Sequence, residues 1–354
     1  MSDFEQIWLE VCNRAAMPDA SINSITQYLT QQGLLLIADD GMSSYYAKNL
    51  VLAVLGWQTM LFKPDMGTCN MYELAIAEAA DGNQLSGQMN LRQGVSSSGR
   101  PLHEFLHGFG LMLPARNFFP YDAEDDNVAL KNIHTISSAS FNAKFLSTIG
   151  EITIKWTDML ACHLDLDTSS NTLYVFQYPS FCMASLHDDQ SEKTKSTLYA
   201  CGSTNMAIPY WAKKEDITEI LRETLLSYRL LFGQNKDSRQ CFHFLKPHYD
   251  AIGEGADKIL IALCSKKKFT LPPGIRQSEI YDLRKDFPIL RYKIALLSQR
   301  LSRNRPRTWK QMWNDRRDSP NWYTFWALLV FGGTGIMLAF FQLVLQIIEL
   351  SLKT

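Results

Sequence analysis

The chain lacks several patterns that would assign it to a familiar class of protein. Its seven cysteines form no CxxC pair, no Asn-x-Ser/Thr acceptor occurs, and the acidic start MSDFEQIWLE has no secretory-signal pattern. An odd number of scattered thiols argues against a disulfide framework and favours a reducing compartment. These absences predict a body that faces the cytosol.

Nucleotide-binding signatures and an imbalance of charge are also missing. Neither GxxxxGK[ST] nor GxGxxG occurs, and the formal net charge is −1 at pH 7, so no global field favours nucleic acid. The 354 residues are 46% hydrophobic and 20% charged, which is enough apolar material for a folded core. The composition therefore predicts a globular body without a nucleic-acid partner.

Charge is absent altogether from residues 325–348, which read FWALLVFGGTGIMLAFFQLVLQII. A helix of about 20 mostly apolar residues covers the ~30 Å of hydrocarbon in a bilayer. The polar side chains of this run are Thr334, Gln342 and Gln346. We therefore predict a single transmembrane helix within residues 322–350, followed by a short tail, 351–354.

The residues before this helix are basic and aromatic, and we take 304–321 as a basic juxtamembrane segment. Positive charge favours the cytosolic side of a bilayer, while Trp and Tyr favour the headgroup region. The pattern predicts a cytosolic N-terminal body, a tail-anchor-like insertion, and a helix at 306–315 that lies in the membrane surface. The expected membrane-interface residues are Trp309, Trp313, Arg316, Arg317, Trp322, Tyr323 and Trp326.

One face of the apolar helix carries small and amide side chains at spacings of three or four residues. Small residues let two helices approach closely, and Gln can donate hydrogen bonds between them. Two interpretations stay open, namely pairing with another membrane helix and the ordinary tolerance of Gly in such helices. The face consists of Gly332, Gly335, Ala339, Gln342 and Gln346.

Helical and strand patterns alternate in the rest of the chain, which predicts a mixed α/β (α+β) body over residues 1–265. The acidic turn Asp39-Asp40-Gly41 follows the first strand of a predicted strand–helix–strand unit. This arrangement is compatible with the Mg²⁺ site of a receiver-like or phosphatase-like fold, and a plain Asp/Gly turn is the alternative. A hairpin is predicted around Ser169-Ser170-Asn171. Predicted helices cover 4–17, 22–32, 44–55, 71–80 and 215–233, and predicted strands cover 34–38, 58–62, 151–156, 163–167 and 172–178.

Residues 266–303 are predicted to form a linker and an amphipathic, heptad-like helix. Apolar residues from Ile280 to Leu301 recur at spacings of three and four, as in a coiled-coil seam. Pro288 interrupts this pattern, so the helix is expected to restart with Asp286 as its cap. Basic flanking residues suit an acidic protein partner, so this helix is a candidate stalk or docking element. Packing on its own domain is the alternative. The flanking residues are Arg284, Arg291, Lys293 and Arg300.

A catalytic-looking motif is His103-Glu104-Phe105-Leu106-His107, which matches HExxH. On a helix the two imidazoles lie one turn apart and can share Zn²⁺, and the Glu can polarise a metal-bound water. Leu113 occupies the third-ligand position of the metzincin pattern, where it cannot bind zinc. The alternative to a zinc site is a short amphipathic segment with no metal.

Other chemically capable side chains have weaker sequence context. Ser180 lacks the Gly-x-Ser-x-Gly elbow of a nucleophile, and Cys182 has no basic neighbour in sequence that would lower its pKa. His163 is expected to be a hydrogen-bonded core or turn residue. None of these residues is predicted to be catalytic.

Two blocks of residues stand out in the second half of the chain. The first block is Trp156-Thr157-Asp158, His163-Leu164, Phe176 and Pro179-Ser180-Phe181-Cys182, and the second is Arg305-Pro306-Arg307, Trp313, Asp315-Arg316-Arg317-Asp318 and Trp322-Tyr323-Thr324-Phe325-Trp326. Together they resemble a large family of filamentous-fungal membrane proteins that has no established activity, and the juxtamembrane block is the more specific of the two. The resemblance implies a single C-terminal transmembrane helix and supplies no catalytic residues.

Two functional hypotheses follow from the sequence. The first is an interaction or regulatory module held at a membrane of unspecified type, with the bilayer, another membrane helix or an acidic protein as partner. It needs no cofactor. The second is a membrane-tethered zinc hydrolase that uses His103, His107 and Glu104.

Overall fold

The structure is a computed structural model, which describes most of the body and the apolar C-terminal helix. Two compact units are present, one from Met1 to Arg303 and one from Asn304 to Thr354. The described residues are 3–17, 19–38, 41–65, 67, 70–77, 91–110, 113–119, 130–187, 196–202, 211–245, 257–266, 272, 275–304 and 319–352.

Helices and short strands alternate in the first unit, which confirms the predicted mixture of the two. Amphipathic periodicity accounts for helices such as α1 and α2, whereas α3 is buried on several sides; Ser21 caps α2 by accepting a hydrogen bond from the Ser24 amide. The helices are α1 (Asp3–Ala15), α2 (Ile22–Gln31), α3 (Gly41–Thr59), α4 (Leu102–Gly108), α5 (Ala143–Thr148), α6 (Pro179–His187), α7 (Thr197–Ala200), α8 (Lys214–Tyr228), α9 (Lys236–Leu245), α10 (Lys258–Leu263) and α11 (Arg291–Arg303).

Within the described ranges, the strands form three small sheets rather than one continuous sheet. Strand β6 lies in the middle of a three-stranded sheet, parallel to β4 and antiparallel to β5. The other sheets are the antiparallel pairs β1–β2 and β3–β7. The strands are β1 (Glu73–Ala75), β2 (Arg92–Gly94), β3 (Thr135–Ser137), β4 (Thr153–Thr157), β5 (Leu166–Asp167), β6 (Thr172–Phe176) and β7 (Ile280–Asp282).

The hairpin predicted around Ser169-Ser170-Asn171 is confirmed as the β5–β6 turn. The Asp167 carboxylate accepts hydrogen bonds from the Ser169 amide at 2.9 Å and from the hydroxyls of Ser169 and Ser170. These donors lower the pKa of Asp167 to about 2. Asn171 has a φ of +52°, in the left-handed region that Asn tolerates better than most residues.

The core of the body surrounds β6, and each of its five residues is buried. Helix α8 packs against α6, and its π-helical continuation, Arg229–Gly233, packs against α9. Among the described residues, the buried apolar cluster extends from Ile7 in α1 to Leu301 in α11. The body up to Arg303 therefore has a core of its own.

Several predicted elements are wrong. The predicted strands at 34–38 and 58–62 are not strands, and the second overlaps the end of α3. Within the predicted helix at 71–80, the described residues form β1 instead. Asp39 and Asp40 lie outside the described residues, so a Mg²⁺ site at these two residues stays a prediction.

The apolar stripe that starts at Ile280 is not one long helix. Its first residues form β7, which pairs with β3, and the helix begins only at Arg291. Six of the seven stripe residues are buried in the core of the body, whereas Ile280 is exposed. The predicted stalk is therefore not confirmed. The buried stripe residues are Leu283, Phe287, Leu290, Ile294, Leu297 and Leu301.

In the second unit, the helix α12 (Ser319–Leu352) contains the predicted apolar stretch. The segment Trp326–Ile348 is long and apolar enough to cross a membrane, and none of it is buried within the chain. An α-helix satisfies its own backbone hydrogen bonds, which is what hydrocarbon requires of a spanning segment. The terminal apolar helix is thus confirmed by length and composition.

Candidate functional site

The HExxH motif lies on the short helix α4. Pro101 precedes the helix, and Gly110, with a φ of +72°, follows its end. His103 and His107 are one turn apart, the first half-buried and the second exposed, and Glu104 is exposed. The predicted amphipathic character is confirmed, because the opposite face packs into the core through Leu102, Phe105 and Leu106.

The two imidazoles lie near charges of both signs. Burial is the main cause that lowers the pKa of His103, the Glu104 carboxylate raises it, and the ammonium group of Lys214 lowers it by less than Glu104 raises it. The His107 ring lies 5.0 Å from the Trp211 ring, centroid to centroid, so one of its faces is covered by an aromatic side chain.

The described part of the chain supplies no further ligand near His103 and His107. No group of three or more His, Cys, Asp or Glu side chains within that part is arranged to hold a metal ion. Leu113, at the third-ligand position of the metzincin pattern, is buried in the core. A catalytic zinc site needs three protein ligands and an open position. Among the described residues, α4 supplies two.

A His–Ser pair that resembles part of a catalytic triad occurs deep in the body. His163 Nε2 lies 2.8 Å from Ser227 Oγ, and the Phe176 amide donates a hydrogen bond to His163 Nδ1. Since Nδ1 accepts, the proton of the neutral ring is on Nε2, which donates to Ser227. The Ser227 hydroxyl in turn donates to the Thr224 carbonyl at 2.7 Å.

This arrangement is the reverse of that in a serine hydrolase, where the imidazole accepts the proton of the serine. His163 is almost completely buried, and burial lowers its pKa to about 3, so the ring stays neutral. The pair therefore connects the β5–β6 region to α8 and has no access to a substrate. The sequence prediction that His163 is a hydrogen-bonded core residue is confirmed.

Ser180 and Cys182 also have structural rather than catalytic surroundings. The Ser180 amide donates to Asp257 Oδ2 at 3.0 Å, and Asp257 Oδ1 accepts from the Ile259 amide at the start of α10. One carboxylate therefore joins the first turns of α6 and α10. Cys182 is fully buried, and burial raises the pKa of its thiol, which keeps it protonated and unreactive.

Two ionisable residues hold α11 against the body: Glu223, which sequence reasoning missed, and Lys293, which it assigned to an acidic protein partner. The Glu223 carboxylate accepts hydrogen bonds from the amides of Ile289 and Leu290, just before α11, at 2.9 and 2.7 Å. Lys293 Nζ lies 2.8 Å from Asp165 Oδ1 and donates to the Ala161 and His163 carbonyls. The sequence signal that could have indicated a buried Glu223 is its position on α8, three residues after the apolar Ile220 and on the same face.

Two of the four basic residues that were predicted to bind an acidic partner instead contact the body. Arg291 is buried, and its guanidinium donates to the Asn117 side chain and the Lys131 carbonyl. Lys293 is bound to groups of the body, as described above. Arg284 and Arg300 are exposed on the same segment.

The predicted membrane-interface residues are described only in part. Trp309, Trp313, Arg316 and Arg317 lie outside the described residues, and so does the side chain of Trp322. Tyr323 is exposed and Trp326 is half-buried.

The small-residue face of α12 is open in the structure. A methyl group added at Gly332 or Gly335 would meet no atom within 4 Å. The remaining members, Ala339, Gln342 and Gln346, are exposed. The face is therefore available for packing, while the nature of its partner stays a prediction.

Comparison with known proteins adds no relative. No protein-family model matches the chain, and neither the curated proteins nor the solved structures include a match. The resemblance to a fungal membrane-protein family stays a prediction.

Proposed function

We propose that this chain is a single-pass membrane protein whose N-terminal body is an interaction or regulatory module on the cytosolic side of a membrane. The observation that carries the proposal is the apolar segment Trp326–Ile348, which has 23 residues, none of them in the buried core of the chain. At about 1.5 Å per residue such a helix is ~34 Å long, which matches the ~30 Å thickness of hydrocarbon.

The proposed orientation is supported by charge and by the cysteines. Basic residues concentrate in 305–317, before the apolar helix, and favour the cytosolic side. The cysteines in the described ranges are free, which suits a reducing compartment. They are Cys12, Cys162, Cys182, Cys201, Cys241 and Cys264.

Two kinds of partner besides the bilayer belong to the proposal. The open face around Gly332 and Gly335 suits a second membrane helix, because close backbone approach favours such pairing. The exposed Arg284 and Arg300 suit an acidic protein. The chemistry found in the body supports an interaction role, since the His163–Ser227 pair and Cys182 are buried structural groups.

Membrane insertion is testable in cells with the full chain and a matched deletion. We expect the full chain to stay in the pellet after alkaline carbonate extraction, and a chain without residues 325–354 to be soluble. A glycosylation acceptor added after Thr354 should be modified if the chain crosses the reticulum membrane with its body in the cytosol. A full chain released by carbonate, or a deleted chain that still pellets after a high-salt wash, would contradict the proposal.

A zinc-dependent hydrolase is a second candidate function, favoured by one observation. Helix α4 places His103 and His107 one turn apart, and both have access to solvent. Metal analysis of the purified chain decides the matter. Stoichiometric zinc that is lost in the His103→Ala and His107→Ala variants supports this candidate, whereas a chain purified with zinc in the buffer that retains no metal removes it.

A further inference from the structure

Three positively charged side chains lie together where α11 begins. The Arg291 guanidinium is 5.0 Å from the centroid of the Phe119 ring, and Lys131 Nζ is 5.8 Å from the same centroid. Both groups are attracted by the negative face of the ring, which explains how two cations share one aromatic side chain. Arg291 also donates a hydrogen bond to the Lys131 carbonyl at 3.0 Å, which holds the two residues side by side.

Arg284 is the third positive group, and we call Lys131, Arg284 and Arg291 the basic cluster. The Leu283 amide donates to the His134 carbonyl at 2.8 Å, so Arg284 directly follows a residue that is paired with the segment carrying Lys131. Burial is the main cause that lowers the pKa of Arg291, and the charge of Arg284 lowers it further. Arg284 is therefore close enough to Arg291 for their charges to interact.

The carboxylates of the same turn only partly balance these charges. Asp282 raises the pKa of Arg291 by less than Arg284 lowers it. Asp282 Oδ1 also accepts a hydrogen bond from the Arg284 amide at 2.9 Å, and Asp286 Oδ2 accepts one from the Asp282 amide at 2.8 Å. Both carboxylates thus bind the backbone of the turn before α11, and the net field of the charged neighbours at Arg291 stays positive.

No ion pair within the described part of the chain neutralises the basic cluster. Its three members form none there, whereas other cations of the body, such as Lys293, pair with carboxylates. Arg291 Nε is buried and has no hydrogen-bond partner in that part of the chain. Like charges held close together without a counter-charge disfavour the folded state, so the basic cluster favours an anion that binds beside it.

We propose that the basic cluster is the docking site for an acidic segment of a partner protein, whose carboxylates supply the missing counter-charge. The inference rests on the proposed interaction role and specifies the site and the chemistry of that partner. Lys131 and Arg284 are exposed and make the direct contacts. Arg291 is buried and contributes through its positive field, which attracts the partner from a distance.

The neighbours of the basic cluster fit a peptide better than a lipid surface. Asn117, which accepts a hydrogen bond from Arg291, is exposed, and so are Asn132 and Lys285, the residues after Lys131 and Arg284. Their amide and ammonium groups donate hydrogen bonds to carboxylates. A segment that binds anionic lipid normally places exposed apolar side chains beside its cations, and these three neighbours are polar.

The test uses the full chain in phosphatidylcholine nanodiscs and a hexaglutamate peptide that carries a photoreactive diazirine. After irradiation and peptic digestion, the cross-linked sites are mapped by mass spectrometry. We expect cross-links at the basic cluster, and their yield should fall as salt is raised from about 0.01 to 0.15 M, because the screening length shortens from ~30 to ~8 Å. The basic residues of 305–317 also attract an acidic peptide and serve as an internal reference.

A pair of matched variants assigns the binding. Lys131→Gln combined with Arg284→Gln should reduce cross-linking at the basic cluster about tenfold and leave the reference at 305–317 unchanged. Lys258→Gln combined with Arg100→Gln removes the same two kinds of charge from other elements of the body and should change neither yield. All four side chains are exposed, so circular dichroism should show unchanged helix content.

The outcomes separate this inference from the membrane anchor, which the carbonate extraction tests independently. Cross-links confined to 305–317 overturn the inference and leave the anchor intact. Unchanged cross-linking at the basic cluster in the variant with Lys131→Gln and Arg284→Gln also overturns it. If inorganic phosphate, added at constant ionic strength, abolishes the cross-links at the cluster but not those at 305–317, the cluster is a phosphate site and the inference is wrong.

Two other occupants are tested separately. The chain itself contains Asp122, Glu124, Asp125 and Asp126, which lie outside the described residues. If the peptide reaches the basic cluster only after these four are changed to the corresponding amides, an internal contact replaces the inference. If Asn132→benzoylphenylalanine, in nanodiscs that contain phosphatidylserine, cross-links to lipid and not to the peptide, the cluster is a membrane contact and the inference is overturned.

Discussion

Glu223 shows how one buried carboxylate fixes the position of a helix. Its oxygens accept hydrogen bonds from the amides of Ile289 and Leu290, and the side chain has no exposure to solvent. In Glu223→Leu both amides lose their acceptor, and an unsatisfied buried donor costs about 1–3 kcal/mol. We expect the free energy of unfolding of residues 1–303 to fall by about 2–4 kcal/mol, measured by urea denaturation.

Glu219 on the same helix is the matched control. Its carboxylate lies 3.5 Å from Arg222 and 3.9 Å from Arg116, and its side chain is partly exposed. Partly exposed ion pairs contribute about 0–1 kcal/mol, so Glu219→Leu should cost no more than that. If Glu223→Leu and Glu219→Leu lower the free energy of unfolding by the same amount, the hydrogen bonds between Glu223 and the start of α11 do not stabilise the fold as expected.

His163 should make stability depend on pH in mildly acidic solution. Burial lowers its pKa to about 3 in the folded chain, whereas an unfolded histidine titrates near 6.5. Between these values the unfolded chain binds more protons, so the stability present at neutral pH is lost as pH falls. At pH 5 the loss attributable to this residue is about 2 kcal/mol.

The contribution of His163 is isolated by comparing slopes. Urea denaturation of the wild type and of His163→Gln should give a shallower pH dependence between pH 6.5 and 4.5 in the variant. Burial raises the pKa of Glu223, so above the ordinary pKa of a glutamate the folded chain binds more protons than the unfolded chain. The contribution of Glu223 to stability therefore falls as pH rises, whereas that of His163 increases. Equal slopes in wild type and His163→Gln would contradict the assignment.

At the scale of elements, the π-helical turn after α8 is fixed by close contact with the end of α10. Arg229 Nη1 donates to the Leu263 carbonyl at 2.6 Å, and a Cβ added to Gly233 would lie 2.5 Å from that same oxygen. Gly233→Ala should therefore reduce the free energy of unfolding by about 1–3 kcal/mol. Gly94→Ala is the control, since its nearest neighbour would be at 3.4 Å. A similar stability of the two variants would contradict the close contact.

Sequence patterns assigned the wrong secondary structure where contacts with distant parts of the fold, rather than local propensity, determine the backbone conformation. The apolar residues Leu61 and Phe62 were expected to form a strand. Met60, with a φ of +52°, reverses the chain at the end of α3, and a Cβ at Gly56 would lie 2.9 Å from the Phe62 ring. These side chains therefore pack back on α3, and their apolar character reflects burial rather than a strand.

At the scale of the whole molecule, the body should fold without the membrane helix. Among the described residues, the buried cluster ends at Leu301, before the second unit begins. A chain truncated after Arg303 should unfold cooperatively, with its α3, α8 and α11 amides as protected from hydrogen exchange as in the full chain in detergent. Loss of that protection would show that residues after 303 stabilise the body.

The sequence by itself determined the membrane-compatible helix and most of the long amphipathic helices. Length and the absence of charge suffice for the first, because an apolar helix satisfies its backbone internally and needs no particular partner. Periodicity suffices for a helix such as α2, whose buried residues Ile22, Ile25, Thr26 and Leu29 follow the 3.6-residue repeat. The HExxH motif could also be identified from the sequence, because it is defined by the spacing of residues within one helical turn.

Only the tertiary structure decided what those elements do. It paired β3 with β7, placed Glu223 at the start of α11, and joined His163 to Ser227. In each case the two partners are far apart in the chain, and the free energy comes from burial and hydrogen bonds that exist only after packing. No local pattern encodes such a contact, because the sequence spacing of the two partners carries no information about their distance in the folded chain.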